Sequence, residues 1–327
     1  MESRIIGVRA PQTRRESHRI AHVFAMMLPD FFIVGAPKCG TTAISEYLRA
    51  HPRVFMCQPK EPHYFAMDIP GYRCVDNLRD YQSLFQTTPD HLAAGEASVF
   101  YLYSEVAIAE IRKNVPSARL VVMLRNPLEL AVAMHAQALL SRDENVTDFA
   151  RAWDLCRERR SGRKVPGHCR DGKILLYDRL PLLGHQLTRL LSIFPKTQVR
   201  WWFYEDFVRD SGGTYREILD FLAVPDDGRR EFPHINARRR ARSQMLAHFT
   251  QKTPKTLLRT AMQLKRHLGI SRWGVRAALR RANFVPAPKP ALPPPLQAEM
   301  QAYFAPDIRL LQTITGRNLD HWLGDSV

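Results

Sequence analysis

Along the chain, short runs of consecutive apolar residues alternate with stretches in which apolar positions recur every three or four residues. Phe31-Phe32-Ile33-Val34 and Leu120-Val121-Val122-Met123-Leu124 are continuous apolar runs, the pattern of strands buried on both faces of a parallel sheet. Residues 199–207 predict a further strand that ends in the acidic pair Glu205-Asp206. Helical spacing appears at residues 41–48, 128–140, 175–191, 215–222 and 296–311. Strands alternating with helices predict an α/β fold, a parallel β-sheet flanked by helices.

The turn between the first run and its helix is the most informative stretch. Gly35-Ala36-Pro37-Lys38-Cys39-Gly40-Thr41-Thr42 reads as strand, loop and helix start. In such a unit the N–H groups of the loop and first helical turn converge, and the helix dipole favours an anion there. Gly35 and Gly40 have the spacing of a nucleotide-triphosphate loop, G-x-x-x-x-G-K-[ST], but Thr41 stands in the lysine's place. The only lysine of the loop, Lys38, lies inside it. A phosphorylated nucleotide other than a nucleoside triphosphate fits better.

The 327 residues allow one large α/β domain with a subsidiary cap. A net charge of +16 and a pI near 10.0 attract polyanions: nucleic acid, anionic lipid, acidic glycans or an anionic cofactor. Five cysteines without paired spacing support neither a zinc site nor a disulfide framework, so a reducing compartment is expected. No stretch approaches the roughly 20 apolar residues of a membrane span. Residues 1–29 are basic and irregular, and are expected to be a disordered extension; a start at Met26 or Met27 would remove most of it.

In a second segment, Lys60-Glu61-Pro62-His63-Tyr64-Phe65, the Lys60-Glu61 pair lies between Pro59 and Pro62, which favour an extended backbone. A carboxylate held beside an anion loop suits a base for an incoming hydroxyl. The alternatives are Glu61 as an ion-pair partner of Lys60 and His63 as a packed histidine. Arg125-Asn126-Pro127 ends the run 120–124, where open α/β sheets bind ligands. An arginine's planar fork there suits a phosphate.

The anion loop resembles the 5′-phosphosulfate loop of sulfotransferases that use 3′-phosphoadenosine 5′-phosphosulfate (PAPS). Lys60 to Phe65 resembles the K-E-P-H-[YF]-F element of the carbohydrate-type members, including those acting on heparan sulfate. Gly95-Glu96-Ala97-Ser98 and Tyr101-Leu102 resemble a G-E-x-S-x-x-Y-L element, with Ala97 where heparan 3-O-type enzymes carry lysine. Landmarks continue in order to residue 323, through Tyr204-Glu205-Asp206 and a closing Gly316-Arg317-Asn318 turn before Trp322.

The resemblance implies a P-loop-type sulfotransferase domain over residues 30–327 and PAPS as sulfuryl donor. Lys38, Cys39, Gly40, Thr41 and Thr42 would bind the 5′ end of the nucleotide, and Arg125 the 3′-phosphate. Ala133 stands where the family places a serine that also contacts that phosphate. Arg238 and Arg242, in the arginine run 238–242, are candidates for the same phosphate or for an anionic acceptor. Glu61 would be the base, Lys38 the cation stabilising the transferred group, and His63 an aid to orientation. No metal is required in principle, because cationic and N–H donors already hold the leaving phosphate.

Residues 253–295 are expected to form a basic helical lid and a proline-rich linker, which suits an acceptor lid or peripheral contact with an anionic membrane. The expected partner is a small-molecule or glycan acceptor taking sulfate on a hydroxyl or amine, in the cytoplasm or at the inner membrane surface. No pattern speaks to self-association. Two other classes are a P-loop kinase or NTPase, which would need the missing lysine and a magnesium-binding acid, and a basic nucleic-acid-binding protein. Nucleic acid is not expected, because it would leave residues 38–42 and 60–63 unexplained.

Overall fold

The computed structural model describes residues 28–233, 239–241, 284–286 and 292–324. Strands β1 (Phe31–Gly35), β2 (Val54–Met56), β3 (Ala93–Ala97), β4 (Arg119–Leu124) and β5 (Val199–Phe203) form one sheet in the order β2-β3-β1-β4-β5. All its pairings are parallel, as the apolar runs predict. Phe31 to Val34 and Leu120 to Leu124 are completely buried, with helices on both sides of the sheet taking up their side chains. Gly95 sits opposite Phe31, whose ring leaves no room for a side chain: an added Cβ would lie 2.2 Å from it.

The helices are α1 (Thr41–Arg49), α2 (Leu78–Gln82), α3 (Ala107–Asn114), α4 (Pro127–Ser141), α5 (Phe149–Asp154), α6 (Cys156–Arg159), α7 (Leu183–Ile193), α8 (Tyr204–Arg209) and α9 (Ser211–Leu222). A longer C-terminal helix, Pro294–Thr315, packs against α7. Its buried Asp307 accepts hydrogen bonds from the N–H groups of Gly184 and His185, at 2.8 and 2.9 Å. That carboxylate satisfies donors at an α7 N-terminus that has no cap of its own. Among the described residues, no helix is long and apolar enough to cross a membrane.

Several expected elements differ. The acidic end of the predicted strand 199–207 is helix α8, because Glu205 and Asp206 in a first helical turn meet the positive end of the dipole. Gly95-Glu96-Ala97, the start of the G-E-x-S element, forms the end of β3. The helical pattern at 175–191 holds only from Leu183; before it the chain forms a 3-10 turn, Gly172–Leu175, and loop. Within the charged stretch 142–173, Arg159 and Glu144 form a pair with neither side chain exposed.

Residues 1–27, most of the expected disordered extension, lie outside the described residues, as do Arg238, Arg242, residues 253–283 of the expected lid and residues 287–291 of the linker. Arg239–Ala241 (β6) pairs antiparallel with Phe284–Pro286 (β7), and β6 runs beside α4.

Candidate active site

The predicted site residues that are described follow the carboxyl ends of the parallel strands, the edge where open α/β sheets bind ligands. After β1, the N–H of Ala36 donates to the Met123 carbonyl at 2.8 Å and ties the loop to β4. Lys38 and Gly40 both adopt left-handed backbone, with φ of 62° and 85°. Gly40 caps α1 without a side-chain hydrogen bond, and the first turn holds no acid. The amides of Thr41 and Thr42 therefore begin a helix that offers donors and positive potential to an anion. A side chain at Gly40 would strike the Phe207 ring at 2.9 Å, which gives the glycine a packing reason as well as a conformational one.

Lys38 is exposed, and its Nζ donates to Oε1 of Gln137 in α4 at 3.1 Å. Thr41 is buried and Thr42 half-buried. Cys39 is fully buried; its thiol donates to the Pro37 carbonyl at 3.3 Å, and burial pushes its pKa up to about 12. Its side chain belongs to the core, so any part it plays in ligand binding falls to its main-chain N–H.

Arg125, after β4, is held from three sides. Nη1 donates to the Lys38 carbonyl at 2.7 Å, and Nε and Nη2 donate to Glu129 Oε2 at 3.2 and 3.0 Å. The Tyr204 ring lies 4.4 Å from the guanidinium carbon. These contacts fix the plane of the fork, as recognition of a phosphate requires. Ala133, on the same helix, is buried and offers no hydroxyl.

After β2 the chain turns through Lys60-Glu61-Pro62-His63. The expected extended backbone is not found, since Glu61 and His63 have φ of 65° and 50°. Left-handed backbone at such residues costs about 1–3 kcal/mol and persists only where surrounding contacts impose it. Here the Glu61 carbonyl accepts from His63 Nδ1 at 3.0 Å, and the His63 N–H donates to Ser98 Oγ at 3.0 Å. Glu61 is about one-third exposed (34%), and its Oε1 pairs with Lys60 Nζ. His63 is buried and stacked on Phe100, ring centroids 5.2 Å apart. The ion pair and the packed histidine thus coexist with an accessible carboxylate. Burial, the dominant cause, lowers the His63 pKa to about 4, so the ring is neutral at pH 7. Its Nδ1 carries the proton donated to Glu61, and buried Nε2 has no partner.

Glu205 and Asp206, the acids after β5, are taken up by Arg317 of the closing turn. Trp322 Nε1 also donates to Glu205, at 3.2 Å. Among the described residues, no cluster of three or more His, Cys, Asp or Glu is placed to hold a metal ion. A cavity of about 560 Å³ beside the edge strand β2, lined in part by Arg49, Phe55 and His91, contains none of the predicted site residues. Three contributors escaped sequence reasoning: Glu129, Gln137 and Tyr204. The four-residue spacing of Arg125 and Glu129 was a readable signal; the other two depend on tertiary contact.

Residues 28–267 match the sulfotransferase domain family. Human heparan sulfate glucosamine 3-O-sulfotransferase 6 is 36% identical over 197 residues, 60% of this chain and 52% of that protein. Human carbohydrate sulfotransferase 15 is 28% identical over 250 residues, 62% of this chain and 45% of that one. The chain spans about half the length of these curated relatives. A sulfotransferase from Alicyclobacillus acidocaldarius superposes with a TM-score of 0.65 at 25% identity, covering 90% of this chain and 99% of that structure. With the family match running through the anion loop, the Glu61 turn and Arg125, the chain belongs to the sulfotransferase domain family.

Proposed function

We propose that this chain transfers a sulfuryl group from PAPS to a hydroxyl or amine of a carbohydrate or glycolipid. The observation that carries the proposal is the junction of the anion loop with Arg125, which brings a helix N-terminus, Lys38 and a braced guanidinium together. A nucleotide with phosphates at both its 3′ and 5′ positions suits these donors. The names of the relatives support a carbohydrate acceptor.

In the proposed reaction, Glu61 takes the proton of the acceptor hydroxyl or amine as its oxygen or nitrogen bonds to sulfur. The bond from sulfur to the 5′-phosphate oxygen breaks, and its electrons leave with the phosphate. Lys38 and the Gly40, Thr41 and Thr42 amides stabilise charge on the sulfuryl group and the leaving phosphate. Neutral His63 holds the Glu61 main chain through Nδ1 rather than exchanging a proton at neutral pH. Arg125 reads the 3′-phosphate, and the arginine run that includes Arg238 and Arg242 is kept as a further contributor, with the place of β6 beside α4 as support. We keep the cytoplasm as the proposed compartment, supported by five free cysteines.

Calorimetric titration with adenosine 3′,5′-bisphosphate, using AMP and ATP as controls, tests the nucleotide assignment. Selective binding of the bisphosphate is expected. A preference for ATP would overturn it.

A further inference from the structure

Glu96 is a fully buried acid in the middle of β3, in a strand that otherwise reads Ala-Ala-Gly-Ala. An ionisable group is retained in such a place only with partners. Its partners are hydroxyls. Tyr81 donates to Oε2 at 2.9 Å. The hydroxyls of Tyr101 and Ser98 lie close enough to favour its charged form, although Oε1 itself meets no donor with full hydrogen-bond geometry.

Each of these three side chains also touches the segment that carries Glu61. Ser98 Oγ accepts the His63 N–H at 3.0 Å, and Tyr101 Oη accepts the Phe65 N–H at 3.3 Å. The Tyr81 ring stacks on Tyr64 with centroids 4.5 Å apart and planes 13° apart. A hydroxyl that accepts from an amide must send its own proton elsewhere, and Ser98 and Tyr101 both lie near the Glu96 carboxyl, whose buried Oε1 has acceptor capacity that Tyr81 leaves unused. Resting on the reading of Glu61 as base, we propose that Glu96 is a positioning residue, which orients the Ser98, Tyr101 and Tyr81 side chains so that they hold residues 62–65 and, through His63, the Glu61 turn.

Reaction geometry is sensitive to displacements of about 1 Å, so loosening this support reduces turnover without altering the nucleotide site. Above about pH 7, where the carboxyl is ionised, Glu96→Gln replaces one acceptor oxygen by a donor of similar size and breaks the pattern. Hydrogen exchange at the His63 and Phe65 amides is then expected to quicken by about tenfold or more, with the bisphosphate Kd unchanged. Ser98→Ala, which removes a single link, should quicken His63 alone and guards against a Glu96 variant that fails to fold. Unchanged exchange at both amides in Glu96→Gln would overturn the proposal.

Turnover separates positioning from a general structural role. With labelled PAPS and desulfated heparan or chondroitin as acceptor, Glu96→Gln is expected to lower kcat by about 10-fold or more at unchanged KM for PAPS. Adding Glu96→Gln to Glu61→Gln should then slow the enzyme no further, because the first acts through the second. Full additivity would contradict action through Glu61. If the wild-type chain sulfates neither polysaccharide, the acceptor assignment fails while the exchange measurement still decides the anchoring.

Discussion

The guanidinium of Arg125 donates to the main-chain carbonyl of Lys38 at 2.7 Å, although 87 residues separate them. One side chain thus braces the anion loop from the neighbouring strand while presenting charge to the same ligand. Loss of Arg125 should weaken bisphosphate binding by about 10- to 100-fold, the worth of a charge-assisted hydrogen bond. AMP, without the 3′-phosphate, should lose far less. Equal losses for Arg125→Ala in calorimetric titration would mean that the residue only supports the loop.

Glu61→Gln should reduce sulfuryl transfer by about 10²- to 10⁴-fold, the range for a positioned general base. The bisphosphate Kd should hardly change, because Glu61 lies outside the anion loop. Full activity in single-turnover assays would remove Glu61 as base.

Cys39 stands inside the loop, yet its buried thiol is a core group, so Cys39→Ala should bind the bisphosphate as the wild type does. Iodoacetamide at pH 7.5 should label exposed Cys74 well before Cys39, as peptide mapping would show. Rapid labelling of Cys39 that the bisphosphate blocks would instead place the thiol in the site.

Two buried groups beside the base give pH dependence of opposite sign. Burial lowers His63 from its usual 6.5 to about 4, so between these values the unfolded chain holds a proton that the folded chain lacks. Its contribution to stability is complete above pH 6.5 and is lost as the pH falls to 4. Burial raises Glu96 from 4.5 to about 7, so there the folded chain holds the extra proton. That contribution is complete below pH 4.5 and is lost as the pH rises to 7. Relative to wild type, His63→Gln should therefore gain stability from pH 7 to pH 5, and Glu96→Gln should lose it. Urea midpoints that shift in parallel for all three proteins would contradict both assignments.

Arg159 and Glu144 are fully buried, paired through two hydrogen bonds of 2.7 and 2.9 Å, and Tyr177 donates to the same carboxylate at 3.0 Å. Arg159→Met leaves that carboxylate uncompensated and should cost about 3–5 kcal/mol in urea unfolding. Arg159→Met with Glu144→Gln should cost less, since the charge is gone and an acceptor remains. A larger loss in the double variant would contradict this account of the pair.

Much of the framework was legible because local and tertiary preferences agree. The apolar runs at 31–34 and 120–124 have one comfortable environment, a parallel sheet covered on both faces. The two glycines and Lys38 mark a loop whose backbone few other residues allow. Residues 60–63 were legible as chemistry but not as geometry: the prolines suggested extended backbone, whereas Ser98 and the His63 ring bend the turn into left-handed conformations. The burial of the Arg159 and Glu144 pair was not legible, because a polar pattern does not reveal which charges will meet each other. Glu96 carried a readable flag, a lone acid in an apolar strand, but its partners come from positions 81 to 101 and converge only in the fold.

The central claim is most directly tested by incubating the purified chain with PAPS labelled in the sulfuryl group and with desulfated heparan, chondroitin and simple glycosides. Transfer of label to one of these acceptors, with release of one adenosine 3′,5′-bisphosphate per sulfate and loss of both in Glu61→Gln, is the predicted result. No transfer from PAPS, together with transfer of the γ-phosphate from labelled ATP to the same acceptors, would contradict the account.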